Sequence, residues 1–249
     1  IVTGHTSSTI PSRPVPHALV VFGTLQLPED PEMKALLDKA GSALVPVAPE
    51  GTRSAIREAV RAGADMVELD VQMTRDGRLM IFHDDRLERT TDGSGCLSEM
   101  RYPQAARLDA GSWFHPRFAG EHVLLVSQAV RLFPQRMRIN LELKRTTHRQ
   151  ALLRRFTRVV RWTRVARRLL VSSFDPALLE PLRHRLRCAL LCRREPDRSL
   201  RQAVRLGCAA WHPHVSLATP HWIRRAHRAG LKVNVWVVDD PDKARQLLR

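Results

Sequence analysis

Residues 63–85 read GADMVELDVQMTRDGRLMIFHDD, and the first half of this stretch sets a problem in energetics. MVELDV has the apolar, β-branched character of a buried strand, yet it carries Glu68 and Asp70. Residues two apart on a strand point to the same face, so the two carboxylates project together. Burying them uncompensated costs several kcal/mol or more, and a cation, a proton or a water-filled mouth must offset that cost. The second half contains Thr74-Arg75-Asp76-Gly77, a hairpin signal. Pairing Thr74 with Leu79 across that turn places His83 opposite Asp70.

Outward from this stretch, helical patterns alternate with short β-rich runs, the signature of βα units on a parallel sheet. Strands are expected at 66–71, 137–143, 168–173, 187–191, 208–212 and 231–237. Helices are expected near 52–62, 126–133, 149–162, 176–184, 197–206, 219–229 and 240–248. The fold class predicted is α/β, a TIM-type (β/α)8 barrel, with active-site residues at the C-terminal ends of its strands. Two more strands are sought at 44–48 and 18–23; without the latter the barrel stays open on one side. Residues 72–125 are too long for a simple βα loop and are read as a hairpin and loop insertion above the mouth, its AGSWFHPRFAGE segment forming a lid or a wall.

At 249 residues the chain has room for one large domain, and no apolar run approaches the roughly 20 residues of a membrane helix. No leader pattern is visible, so a cytoplasmic location is expected. Cys96, Cys188, Cys192 and Cys208 form no CxxC pair and read as structural thiols. The net charge of +16 invites a polyanion partner, but it comes from 36 Arg against 5 Lys spread along the whole chain. The one dense run, RRFTRVVRWTRVARR at 154–168, interleaves apolar residues (Leu153, Phe156, Val160, Val165) at helical spacing and reads as an amphipathic helix with a solvated basic face. No specific nucleic-acid partner is therefore expected.

A third acid stands in INLELKR at 139–145, where Glu142 and Lys144 share a strand face. Three carboxylates converging at a barrel mouth suit a hard divalent cation, Mg²⁺ or Ca²⁺, and the lysine adds a charge that a phosphate would use. His83 is the candidate general acid/base. His212 and His214 share a strand face as an alternative metal pair, but with no carboxylate assigned beside them the structural reading is preferred.

The stretches PEGTRSAI, GADMVELDVQMTRDGRLMIFHDDRLERTTDGSG, LDAGSWF, INLELK, VSSFDP, HPHVSL and AGLKVNVWVVDDP, in this order, resemble the glycerophosphodiester phosphodiesterase family over residues 49–249. The resemblance implies a TIM barrel that hydrolyses small-molecule glycerophosphodiesters, in lipid metabolism, to glycerol 3-phosphate and an alcohol. By resemblance Glu68, Asp70 and Glu142 match the metal ligands, His83 one of two acid/base histidines and Lys144 the phosphate-contacting lysine. Trp236 matches an aromatic lining the glycerol side, and Phe174 is expected to shape the pocket. The family's His-Arg-Gly signature falls, by counting back from Pro49-Glu50, on Gly41-Ser42-Ala43, where it has no match, and neither His5 nor His17 is placed to replace it. The family's final strand is also not found. Residues 1–43 are read as a divergent N-terminal segment and 44–249 as the phosphodiesterase domain. A barrel that binds metal and phosphodiester without turnover is the second reading.

Overall fold

A computed structural model describes residues 48–61, 64–238, 243, 246 and 247. The strands β1 (Met66–Met73), β2 (Leu79–Ile81), β3 (Arg138–Leu143), β4 (Leu169–Ser173), β5 (Arg187–Cys192), β6 (Ala210–Pro213) and β7 (Lys232–Val233) form one sheet in the order β2-β1-β3-β4-β5-β6-β7. All neighbours are parallel except the β1–β2 hairpin. The helices are α1 (Arg53–Arg61), α2 (Tyr102–Ala105), α3 (Val126–Leu132), α4 (Arg149–Thr163), α5 (Pro176–Leu179), α6 (Pro196–Arg205) and α7 (Pro220–Arg228). This is the strand-helix order of a TIM-type barrel, and among the described residues hydrogen bonds do not close the sheet. The strands expected at 18–23 and 44–48 lie outside the described residues apart from Ala48, as do His5, His17 and Gly41-Ser42-Ala43. Of the helix expected at 240–248, only Lys243, Gln246 and Leu247 are described.

Strand alternation separates two interiors. Val67, Leu69 and Val71 of β1, Ile139, Leu141 and Leu143 of β3, and Trp211 of β6 belong to the main core, together with helix residues such as Leu152, Phe156 and Leu200. The opposite face has a small apolar plug of Met66, Leu170, Ala189 and Ala210. Beyond this plug, toward the strand C-termini, that same face turns polar: Glu68 pairs in register with Asn140, and Asp70 with Glu142. The insertion carries an apolar cluster of its own, in which Met80, Phe82, Leu87, Leu97, Leu108 and Leu125 pack together.

Four expectations are corrected. β1 and β2 pair Met73 with Leu79, one residue short of the expected register, so Asp70 faces Phe82 (Phe82 N to Asp70 O, 3.0 Å) and not His83. Thr74 causes the shift by joining the turn: its hydroxyl donates to Asp76 Oδ1 at 2.7 Å and accepts from the Arg78 amide at 2.9 Å. Gly77, at φ +83°, closes that turn in a conformation that favours glycine. The helix expected at 176–184 ends at Leu179, because Pro181 offers no amide to continue it. The strand expected at 231–237 has ladder pairing only at Lys232–Val233, with a single bridge further on between Trp236 and His214. In α4 the buried stripe is Leu152, Phe156 and Val160, and Leu153 only flanks it, which leaves the arginine-rich face to solvent as expected. All four cysteines are free thiols. Burial pushes Cys188 up to about 12, which fits inert structural groups.

Candidate active site

Glu68, Asp70, Glu142, Lys144 and His83 line one cavity of about 610 Å³ at the C-terminal ends of the strands. One carboxylate oxygen from each of the three acids falls within 4.8 Å of the others. Glu68 and Asp70 are buried, and Glu68 Oε1 has no hydrogen-bond partner among the described residues. Lys144 Nζ lies 3.3 Å from both Asp70 Oδ1 and Glu142 Oε1, one cation against three acids.

The electrostatics record that deficit. Burial, then the charges of Asp70 and Glu142, push the Glu68 carboxyl well above the usual carboxylate range. Burial raises Asp70 too, against the pull of Lys144. Glu142 is pushed up to about 7, by burial first and Asp70 second. Lys144, which burial alone would push down, is held above its ordinary value by Asp70 and Glu142. Three oxygen donors, an orphaned buried carboxylate oxygen and surplus negative charge fit a hard divalent cation.

His83 stands at the rim, just past β2, and is held by two devices. The Gln72 amide donates to the carbonyl oxygens of Phe82, His83 and Asp84, at 2.6 Å for the last, which fixes the backbone there. Asp84 Oδ1 lies 2.6 Å from His83 Nδ1, so the carboxylate orients the ring. Arg89 pairs with Asp84 and, at 2.6 Å, with Glu50 Oε1, and by binding the Asp84 carboxylate it holds that group below its ordinary range.

On the other side of the mouth, Phe174 and Trp236 meet edge to face at 5.4 Å. Trp236 is anchored by Nε1, which donates to the His212 carbonyl at 2.8 Å, and its ring also meets His214 at 5.0 Å. Of the AGSWFHPRFAGE segment, Ala110 alone lines the cavity. Asp109 instead knots that segment by accepting from the amides of Gly111, Ser112 and Gly120.

His212 and His214 do not act as a pair. His212 is fully buried with Nε2 against Asn234 Nδ2 at 2.7 Å, whereas His214 is partly exposed and bonded to Ser216 at 2.8 Å. Sequence reasoning missed Asn140, Arg193 and the position of His212 in the cavity wall. Asn140 was findable, since it lies two residues before Glu142 on the same strand face.

A TIM-type sheet with carboxylates, a lysine and a histidine gathered at the C-terminal mouth has its polar cluster where barrel enzymes have their active sites. The description "Glycerophosphoryl diester phosphodiesterase family" matches residues 39–249, and the chain belongs to that family. A glycerophosphodiester phosphodiesterase of Caldanaerobacter subterraneus is 27% identical over 206 residues, 81% of this chain and 85% of the relative. Bacillus subtilis YhdW is 41% identical over 97 residues, 39% of this chain and 40% of that protein. Among solved structures, an Oleispira antarctica phosphodiesterase in complex with the product sn-glycerol-3-phosphate superposes with a TM-score of 0.78 at 26% identity, covering 94% of this chain and 89% of the other. No helix among the described residues is long and apolar enough to cross a membrane.

Proposed function

We propose that the chain hydrolyses glycerophosphodiesters to glycerol 3-phosphate and an alcohol in lipid metabolism, with a divalent cation, Mg²⁺ or Ca²⁺, held by Glu68, Asp70 and Glu142. The observation that carries this reading is the buried Glu68 oxygen, unpartnered among the described residues, within a group of three acids that Lys144 only partly balances. The cation, when bound, supplies positive charge against the phosphate and lowers the barrier to ionising an oxygen nucleophile.

The side chains do the rest. Lys144, charged and held at 3.3 Å from Asp70 and Glu142, presents its ammonium to the phosphate and steadies the negative charge that develops on it. By the family resemblance the substrate's own 2-hydroxyl attacks phosphorus, the bond to the alcohol breaks, and water then opens the resulting cyclic phosphate to glycerol 3-phosphate. His83, oriented by Asp84, takes the hydroxyl's proton at Nε2 and returns it to the departing alcohol oxygen. Phe174 and Trp236 form an apolar wall for the carbon skeleton of the glycerol half. The outer end of the cavity is left for the alcohol. A cytoplasmic location fits a chain with three buried free thiols.

A second reading, a barrel that binds cation and phosphodiester without turnover, rests on the missing His-Arg-Gly signature. Losing one of two acid/base groups costs about 10²- to 10⁴-fold in rate. The test is glycerol 3-phosphate released from glycerophosphocholine by the purified chain with Mg²⁺ or Ca²⁺, beside a Glu68→Ala control. Cation-dependent release that the control abolishes is expected. Cation binding without any release would leave the second reading standing in place of the first.

A further inference from the structure

The buried wall of the cavity contains a hydrogen-bond donor that no atom of the described residues receives. His212, on β6, is fully buried yet lines the same cavity as the acids. Its Nε2 lies 2.7 Å from Asn234 Nδ2. An amide nitrogen only donates, so Nε2 is the acceptor, the neutral ring carries its proton on Nδ1, and Nδ1 has no partner among the described residues. Burial pushes this imidazole down to about 3, which favours the neutral ring. A buried donor without an acceptor carries a desolvation cost of about 1–3 kcal/mol, which a ligand or water acceptor would relieve.

The surroundings select the acceptor. In the sheet order β6 is separated from β3, which carries Glu142, by β4 and β5, so the donor enters the cavity wall from a different strand than the acids and Lys144. Its register partner is Leu191, and its own carbonyl holds the Trp236 indole that meets Phe174. A neutral donor beside two aromatic rings and a leucine suits an uncharged hydroxyl better than a phosphate oxygen, which the cation and Lys144 already serve. Of the two glycerol hydroxyls, the terminal one lies farther from phosphorus and so farther from the groups that serve the phosphate.

We propose that His212 Nδ1–H donates to the terminal hydroxyl of the glycerol moiety, with Asn234 fixing the tautomer, so that this pair selects glycerol over shorter diols. The assignment rests on the glycerophosphodiester reading above. His212 is thus a substrate-binding residue rather than a metal ligand.

The experiment compares two probes by titration calorimetry on the full chain with Mg²⁺ present: glycerol 3-phosphate, and 2-hydroxyethyl phosphate, which lacks the terminal CH₂OH. Wild-type protein is expected to prefer glycerol 3-phosphate by about 3- to 10-fold, the contribution of one neutral hydrogen bond. His212→Phe is expected to bind the two equally, and His212→Asn, whose amide nitrogen stands near the Nδ1 position, to restore the preference. Equal binding by the wild type, or a preference kept by His212→Phe, overturns the His212 assignment alone. Binding of neither probe by the wild type overturns both that assignment and the glycerophosphodiester reading. A second measurement requires no variant to fold: ¹⁵N spectra of the wild-type imidazoles are expected to show one Nδ1–H tautomer whose Nδ1 signal moves on adding glycerol 3-phosphate. An Nε2–H form of His212, or an Nδ1 signal that stays put, overturns the assignment.

Discussion

Replacing Glu68 by Gln is expected to stabilise the cation-free protein and destabilise the cation-loaded one relative to wild type. The sign follows from the surroundings. Glu68 is 7% exposed, Oε1 has no donor among the described residues, and Asp70 and Glu142 stand close by, while Lys144, 3.3 Å from those two acids, only partly offsets the burial of Glu68. At pH 8 the wild type must either hold a third buried charge or keep Glu68 protonated, and both cost free energy that the neutral amide avoids. A relief of about 2 kcal/mol corresponds to a melting temperature higher by roughly 4–8 °C for a chain of this size. With Mg²⁺ or Ca²⁺ at a hundredfold its dissociation constant, the wild type gains about 2.7 kcal/mol, or roughly 5–10 °C, and the variant little. The two melting curves should therefore change order when the cation is added. Scanning calorimetry in EDTA and in excess cation reads both arms. A variant that melts below wild type in EDTA and keeps the full cation shift would refute the claim that Glu68 is an uncompensated ligand.

Cation affinity is expected to rise about tenfold from pH 6 to pH 8, because binding requires the ionised Glu142 carboxylate, whose folded-state value is near 7. The sign for the cation-free protein is opposite: a carboxyl raised from 4.5 contributes stability that is full below about 4.5 and lost as the pH rises through 7, so its melting temperature should fall over that range. Lys144→Met is expected to reduce kcat by about 10²- to 10³-fold, measured as glycerol 3-phosphate release, while cation affinity is retained or improved once the competing ammonium is gone. Arg168→Ala is expected to cost about 2 kcal/mol, read by urea denaturation, with turnover kinetics unchanged. Its guanidinium donates to the carbonyls of Val130 at 2.9 Å and Pro134 at 2.7 Å and so fastens the end of α3 at the strand N-termini, remote from the mouth.

The acid cluster was legible because strand alternation is rigid: once MVELDV and INLEL are strands, Glu68, Asp70 and Glu142 have no other face to occupy. The hairpin was legible in kind and wrong by one residue. Which residue closes a turn depends on a side chain competing for backbone groups, and Thr74 does so here by binding both Asp76 and the Arg78 amide. His83 reaches the cavity through the chain beyond β2, fixed by Gln72 and Asp84, and not by pairing with Asp70. His212 read as structural, with a metal pair as the alternative, because spacing alone cannot say which ring nitrogen is taken. That question was answered by Asn234, which lies 22 residues further along the chain.

The central claim is cation-dependent cleavage of a glycerophosphodiester at this mouth, and ³¹P NMR of glycerophosphocholine mixed with the purified chain tests it most directly. The account predicts that the diester signal gives way to glycerol 3-phosphate with Mg²⁺ or Ca²⁺ present and persists in EDTA. Equal conversion in EDTA, or phosphocholine as the product, would contradict it.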